Sequence, residues 1–402
     1  MLDVLDEAIT GKGLVAAFQP VVELPSRLVV GYEALARWPA LNYPAPIDIL
    51  SRAERTGRLN ALDQACIRAA VRGALSGLSA PGMLLLVNCE PATAHVDPSH
   101  DTDLSSAATR FRFTFELTER GLLTHPRALL RKVAALRSSG FAIALDDIGP
   151  HADSMALLDV LAPDILKLDM GLIHRQPDRI QARTIAAIIG HQERTGAVIC
   201  AEGIETHEHL EQALAYGATL GQGHLFGVPG ELTTPAAAFS WPTDPRTSGG
   251  PSAVDAATAG LKTRIVREQT VSELYRHIER IAATADSPPM LLVTLRGDES
   301  LYATTHDRYA TIAERSPLVA VFGRNPPVVP GSRIRMVTLE PGDPLLGQSV
   351  ILVLGPDTAA GLIARDLDHS SGRSRDRRFE MAITFDREHV TRAVTELLDR
   401  MV

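Results

Sequence analysis

Gly31-Tyr32-Glu33-Ala34-Leu35-Ala36-Arg37-Trp38 is the stretch that decides how this chain is read. It continues an apolar, β-forming run, Leu28-Val29-Val30, and sets a carboxylate at Glu33 and a guanidinium at Arg37 toward the strand's end. One acid at a strand end proves nothing. The same order of apolar run, acid or amide, then helix recurs through roughly the first 230 residues. Those strand ends meet in space only if the strands close into a barrel.

Working outward, residues 15–24 read as a strand, and Pro25-Ser26-Arg27 turns the chain into the strand at 28–37. A connection that short makes a hairpin, so one strand runs against its neighbour. Beyond it the pattern changes. Helical spacing covers 47–58 and 60–75, where Ala61, Ala65, Cys66 and Ala69 share a face. Residues 83–88 form a continuous apolar run of the kind buried on both faces. Strands at 111–118, 141–147, 165–169, 198–202 and 218–226 alternate with helices opened by Pro126, at 154–161, 178–192 and 207–216. Roughly eight strands in about 240 residues predict a TIM-like (β/α)8 barrel with one antiparallel strand. A doubly wound open sheet is the competing architecture.

The predicted organisation is a barrel domain over 1–240, a linker over 241–260 rich in Pro, Gly, Ser and Thr, and a smaller, separate α/β domain over 261–402. In the second domain, strands are expected at 290–295, 318–322, 333–339, 350–354 and 379–385, with helices at 273–283 and 389–401.

Bulk properties narrow the function. The 402 residues carry a net charge of −8, which argues against a DNA- or RNA-duplex binder. Cys66, Cys89 and Cys200 are far apart without zinc spacing, as in a reducing cytosol. The N-terminus is acidic where a signal peptide is basic, and no apolar run approaches the roughly 20 residues of a membrane span. The expected location is the cytoplasm.

Read in order, the strand ends carry Glu33, Asn88, Glu116 with Glu119, Asp146 with Asp147, Lys167 with Asp169, Glu202 with Glu205, and Gln222. Each has an ordinary reading: a solvated acid, a helix cap, a surface ion pair, turn chemistry. In a parallel barrel, however, all C-terminal strand ends open on one face, where barrel enzymes keep their sites. So many like charges cannot all stay ionised unpaired. Oxygen-only ligands favour magnesium or manganese as the compensation. The adjacent acids Asp146-Asp147 suit a pair of ions, one carboxylate bridging, as in two-metal phosphoryl chemistry. Lys167 is placed to orient a water, and Arg37 is a fork that suits a phosphate.

These residues also resemble a known family. Glu33-Ala34-Leu35 with Arg37 is similar to the signature of the EAL domain, the cyclic di-GMP phosphodiesterases. Phe18-Gln19-Pro20, Val87-Asn88, Glu116-Leu117-Thr118-Glu119, Asp146-Asp147 with Gly149, Lys167-Leu168-Asp169, Ala201-Glu202-Gly203-Ile204-Glu205-Thr206 and Gln222-Gly223 follow in the family's order, over about residues 12–230. The resemblance implies hydrolysis of cyclic di-GMP to linear pGpG with two Mg2+ or Mn2+ ions. It implies Glu33, Asn88, Glu116 and Asp146 on one ion, and Asp146 and Asp147 on the other with Glu202 near. Lys167 would hold the nucleophilic water, Glu202 would take its proton, and Gln222 would help from the wall. Gln19, Leu35 and Arg37 would contact substrate. Glu119 would anchor the aspartate loop, Glu205 would support the site from behind, and the protein would be a homodimer. The loop Ile148-Gly149-Pro150-His151-Ala152-Asp153-Ser154-Met155 departs from the family pattern, which has Phe after the aspartates. A receptor that binds the dinucleotide without turnover is therefore the alternative. A metal-dependent barrel enzyme acting on carbonyl or sugar acids would use similar carboxylates but leaves Arg37 and Gln222 unexplained.

The second domain more weakly resembles the DICT domain, a sensory module. Phe322-Gly323-Arg324-Asn325, Pro330-Gly331-Ser332-Arg333-Ile334-Arg335, Pro341-Gly342-Asp343-Pro344-Leu345 and Arg377-Arg378-Phe379-Glu380 carry that resemblance. It implies a protein or small-molecule input that adjusts the barrel's output.

Overall fold

The structure is a computed structural model that describes residues 4–24, 26–77, 80–94, 98–118, 122–149, 152–232, 236–242, 261–295, 299–326, 331–367 and 377–401. Glu119, Pro150, His151 and most of the expected linker lie outside the described residues. The chain divides into two compact units, one of 1–122, 128–151 and 162–248, the other of 123–127, 152–161 and 249–402.

The first unit is a closed barrel of eight strands in chain order. They are β1 (Val15–Glu23), β2 (Leu28–Arg37), β3 (Leu84–Cys89), β4 (Arg112–Leu117), β5 (Ala142–Ile148), β6 (Ile165–Leu168), β7 (Val198–Ala201) and β8 (Leu220–Gly221). β1 runs antiparallel to both β2 and β8, and every other neighbouring pair is parallel. The short turn after β1 forces this, because two strands joined by so few residues must reverse direction.

Period-two alternation fills the interior. Leu84, Leu86, Ala144, Ile165, Val198, Cys200 and Leu220 pack into one apolar cluster with Val21 and Val30. Two residues further along the same strands stand Asn88, Asp146, Lys167, Glu202 and Gln222. The barrel interior is thus an apolar plug that becomes polar over one step of the pleat. Each fully buried Leu or Ile in the plug contributes about 1.5–3 kcal/mol. Gly31 lets β2 approach β3, since a Cβ there would lie 2.3 Å from the Leu84 carbonyl oxygen.

The final strand differs from expectation. Residues 218–226 were expected as one strand, but β8 holds only Leu220 and Gly221. Gly223 and Gly227 have φ of +150° and +158°, so the chain leaves the ladder directly after Gly221. A Cβ on Gly223 would sit 2.2 Å from the Ile204 carbonyl oxygen, so only glycine fits that crossing.

The second unit contains a seven-stranded sheet in the order β12-β11-β10-β13-β14-β15-β9. Its strands are β9 (Arg264–Arg267), β10 (Met290–Thr294), β11 (Val319–Gly323), β12 (Ile334–Thr338), β13 (Gln348–Leu354), β14 (Ala359–Asp366) and β15 (Arg378–Thr384). β10, β11 and β12 are parallel, and the other pairings are antiparallel. Helices Glu268–Thr284 and Glu299–Ala313 contribute Val271, Ile278, Tyr309 and Ile312 to the core against Leu291, Val321, Ile351 and Leu362. β9, β14 and the helix Glu299–Ala313 were not read from sequence. β14 carries a glycine, and the Thr- and Ala-rich helix has a weak apolar stripe. Among the described residues no helix is long and apolar enough to cross a membrane.

Candidate active site

Carboxylates at the ends of four strands converge on the Lys167 ammonium. Its Nζ lies 2.6 Å from Glu202 Oε1, 2.7 Å from Glu116 Oε1, 2.9 Å from Asp146 Oδ1 and 3.3 Å from Glu33 Oε2. Lys167 is 1% exposed and Glu116 is fully buried. Asn88 Nδ2 donates to Glu33 Oε1 at 2.9 Å and to Glu116 Oε2 at 3.2 Å, which ties β2, β3 and β4 together. Gln222 Nε2 donates to Glu33 Oε2 at 3.0 Å, closing the ring from β8.

Asp146 and Asp147 are adjacent, so a regular strand would point them to opposite faces. β5 breaks register between Leu145 and Ile148, and Asp147 has φ of +48°. This bulge brings both carboxylates to one side. Asp146, Asp147 and Glu202 each offer an oxygen within 4.8 Å of the others.

The charges are unevenly held. Burial opposes ionisation of Glu33, but Lys167 and the hydrogen bonds from Asn88 and Gln222 outweigh it and keep that carboxyl below its usual range. Burial and the neighbouring Glu33 push Glu116 well above it. Burial, reinforced by Asp146, lifts Asp147 to about 6. Burial lifts Glu202 to about 8 against the pull of Lys167. Burial would lower Lys167, but Asp146, Glu116, Glu202 and Glu33 raise it well above its usual value, so it remains an ammonium. The mouth is short of positive charge. Glu116 Oε1 and Asp146 Oδ1 are buried and share the one Lys167 ammonium with Glu33 and Glu202. Gln222 Oε1 is buried and unsatisfied. Crowded oxygen donors with raised pKa values and unfilled acceptors fit hard divalent cations.

Residues 3–229, more than half of the chain, match the family profile of the EAL domain. The chain belongs to the EAL-domain family. Residues 253–367 match the DICT domain, described as a sensory domain in diguanylate cyclases and two-component systems. The EAL portion is 28% identical over 245 residues to the cyclic di-GMP phosphodiesterase PA2567 of Pseudomonas aeruginosa, covering 57% of this chain and 40% of that protein. It is 27% identical over 237 residues to the probable cyclic di-GMP phosphodiesterase PdeG of Escherichia coli, covering 56% of this chain and 46% of that one. The chain therefore spans less than half the length of either relative. Among solved structures, a c-di-GMP complex of the PaMucR phosphodiesterase aligns with a TM-score of 0.47 and 26% identity, over 56% of this chain and 95% of that one.

The other residues singled out in the EAL sequence lie apart from the Lys167 cluster's contacts. Gln19 pairs with Glu33 in the β1–β2 ladder, and its Nε2 donates to the Gly227 carbonyl at 3.4 Å. Leu35 and Arg37 are half-buried along β2, where Arg37 Nη1 donates to the Ala36 carbonyl at 2.9 Å. Glu205 is exposed, with Oε1 3.6 Å from His224 Nδ1. Asp169 caps the short helix after β6 by accepting from the Gly171 amide. Cys89 and Cys200 are buried hydrophobes, and burial lifts the Cys89 thiol to about 12.

One buried group beside the EAL site was not anticipated. Lys132 Nζ donates to the Glu90 carbonyl at 2.5 Å and to Thr93 Oγ1 at 2.7 Å, and lies 3.7 Å from Asp63 Oδ2. Asp63 accepts from the Glu90 amide at 3.1 Å and from the Thr93 hydroxyl. This clamp holds the backbone of the segment directly after Asn88. The available signal was Asp63 itself, an acid beside Leu62 on the buried face of the helix Leu59–Ser76.

Proposed function

We propose that the barrel hydrolyses cyclic di-GMP to linear pGpG, using two divalent cations, Mg2+ or Mn2+. The observation that carries this reading is the single ammonium, Lys167, set among four carboxylates from four strands. Such an excess of buried acid is what a cation-dependent phosphodiester site requires. Membership of the EAL family and relatives named as cyclic di-GMP phosphodiesterases support the substrate.

Glu33, Asn88, Glu116 and Asp146 would hold one ion, and Asp146, Asp147 and Glu202 the other. The ions, when bound, acidify a water and offset phosphoryl charge. Lys167 donates a hydrogen bond to the attacking water and fixes its line of approach. Water oxygen bonds to phosphorus, one ester P–O bond breaks, and the leaving sugar oxygen takes up a proton from solvent. Glu202, 2.6 Å from Lys167 Nζ, accepts the proton that the water loses. Gln222 and Asn88 hold Glu33 between them. Arg37 pairs with substrate phosphate, while Gln19 and Leu35 contact the nucleotide. Glu119 and Glu205 belong to the same proposal as supports of the loops around the mouth. We assign the protein to a reducing cytoplasm, as three free cysteines suit, and to a homodimer. The DICT-like domain takes an input that adjusts turnover.

The test is incubation of the purified chain with cyclic di-GMP and Mg2+ or Mn2+, reading pGpG by chromatography. Turnover in the parent, with a loss of at least about 10²–10³-fold in Glu33→Ala at unchanged circular dichroism, is expected. Saturable binding without pGpG identifies a receptor instead. The absence of both binding and product overturns the reading.

A further inference from the structure

A cavity of about 450 Å³ opens in the second unit between the helices Glu268–Thr284 and Glu299–Ala313. Its size suits a small organic molecule. Ala282 and Ile312 are buried and give it an apolar floor. Four guanidiniums line it: Arg276 and Arg280 from one helix, Arg308 and Arg315 from the other and the turn after it. Positions 276 and 280 are one helical turn apart, so that pair faces the same way.

Only part of this charge is answered. Arg276 pairs with Glu273 at 2.8 Å on the surface. Arg308 lies 3.3 Å from Oε2 of Glu279, a buried carboxylate whose Oε1 accepts from the Tyr309 hydroxyl at 2.8 Å. The Arg280 guanidinium has no partner among the described residues. Arg315 reaches a backbone oxygen, that of Ala285, at 3.5 Å. A concave, apolar-floored site with two unanswered guanidiniums stands out in a chain whose net charge is −8. Guanidinium forks match the oxygens of phosphates and carboxylates.

We infer that this cavity binds a small organic anion, a phosphate or carboxylate carried on a compact apolar body, with Arg280 and Arg315 holding the charge and Ala282 and Ile312 the body. It is the input site of the second unit. Glu279, anchored by Tyr309, keeps Arg308 at the rim.

The test is calorimetric titration of the full chain in EDTA with phenyl phosphate, benzoate and inorganic phosphate. At least one organic probe is expected to bind one site saturably, at least tenfold tighter than inorganic phosphate. The Arg280→Ala/Arg315→Ala double variant, exposed enough to leave circular dichroism unchanged, is expected to weaken that probe at least tenfold. The preferred probe tells phosphate from carboxylate. Equal binding of inorganic phosphate, meaning an adventitious ion only, overturns the inference. So does unchanged affinity in the double variant, or no saturable binding of either organic probe. None of these readouts involves cyclic di-GMP, so the barrel's proposed activity stands or falls separately.

Discussion

The barrel mouth and the cavity of the second unit are opposites in charge. In the first, one buried ammonium, Lys167, is surrounded by four carboxylates. In the second, one buried carboxylate, Glu279, sits beneath four guanidiniums. Lys167 touches all four of its acids, whereas Glu279 meets only Arg308 among the four arginines. The two sites also differ in burial. The barrel's acids come from strand ends inside a closed sheet, with Glu33, Glu116 and Lys167 all nearly or fully removed from water. The arginines stand at a rim, with Arg276 and Arg308 more than half exposed. Buried charge must be answered, so the mouth demands cations. Rim charge is already hydrated, so the cavity can remain empty until a ligand comes.

The sharpest way to break this comparison is to remove the minority charge in the barrel. Lys167→Met should cost about 3–5 kcal/mol in the metal-free protein, because four carboxylates lose their shared partner. Thermal unfolding in EDTA should show it, and added Mg2+ should recover part of the loss. A melting temperature equal to the parent's would mean that the acids are solvated, as at an ordinary surface.

A pH series sharpens the same contrast. Glu202 and Asp147, ordinarily near 4.5 and 3.8, are raised in the fold to about 8 and about 6. A group raised on folding stabilises below its unfolded value and loses that contribution as pH climbs through its folded one. The metal-free barrel should therefore weaken as pH rises from about 4 to about 8. Between pH 6 and pH 8 its melting temperature should fall by about 5 °C, or about 2 kcal/mol. Lys167, raised from an already basic value, keeps its contribution across this window. Saturating Mg2+ should flatten or reverse the slope, since ligands must shed protons to bind it.

The smallest effect belongs to the second unit. Tyr309→Phe removes one donor from Glu279 but leaves Arg308 in place. The expected cost is about 1 kcal/mol, read in a chemical melt of the full chain. A cost as large as that of Lys167→Met would show that Glu279 is as dependent on its partner as the barrel acids are on theirs.

The barrel was legible in sequence because its signal is local and repeated. An apolar run ending in an acid or amide reports strand, direction and mouth together, and it occurs at Asn88, Glu116, Asp146 and Glu202 alike. The reversal of β1 followed from the shortness of one turn. The second unit was read less completely, since β9, β14 and one helix carry weak periodicity and are held by neighbours rather than by their own pattern.

The sequence by itself determined which polar residues stand at the strand ends and that their strands close, because side-chain period and turn length act within a few residues. Only the tertiary structure decided how they meet. It alone shows that a bulge turns Asp147 to the side of Asp146, and that Lys167 touches four acids from four strands. It alone shows that Asp63 and Lys132 clamp the chain behind Asn88. The clamp and the Lys167 cluster join residues tens of positions apart, and the bulge is a break in register between two strands. No local pattern encodes either.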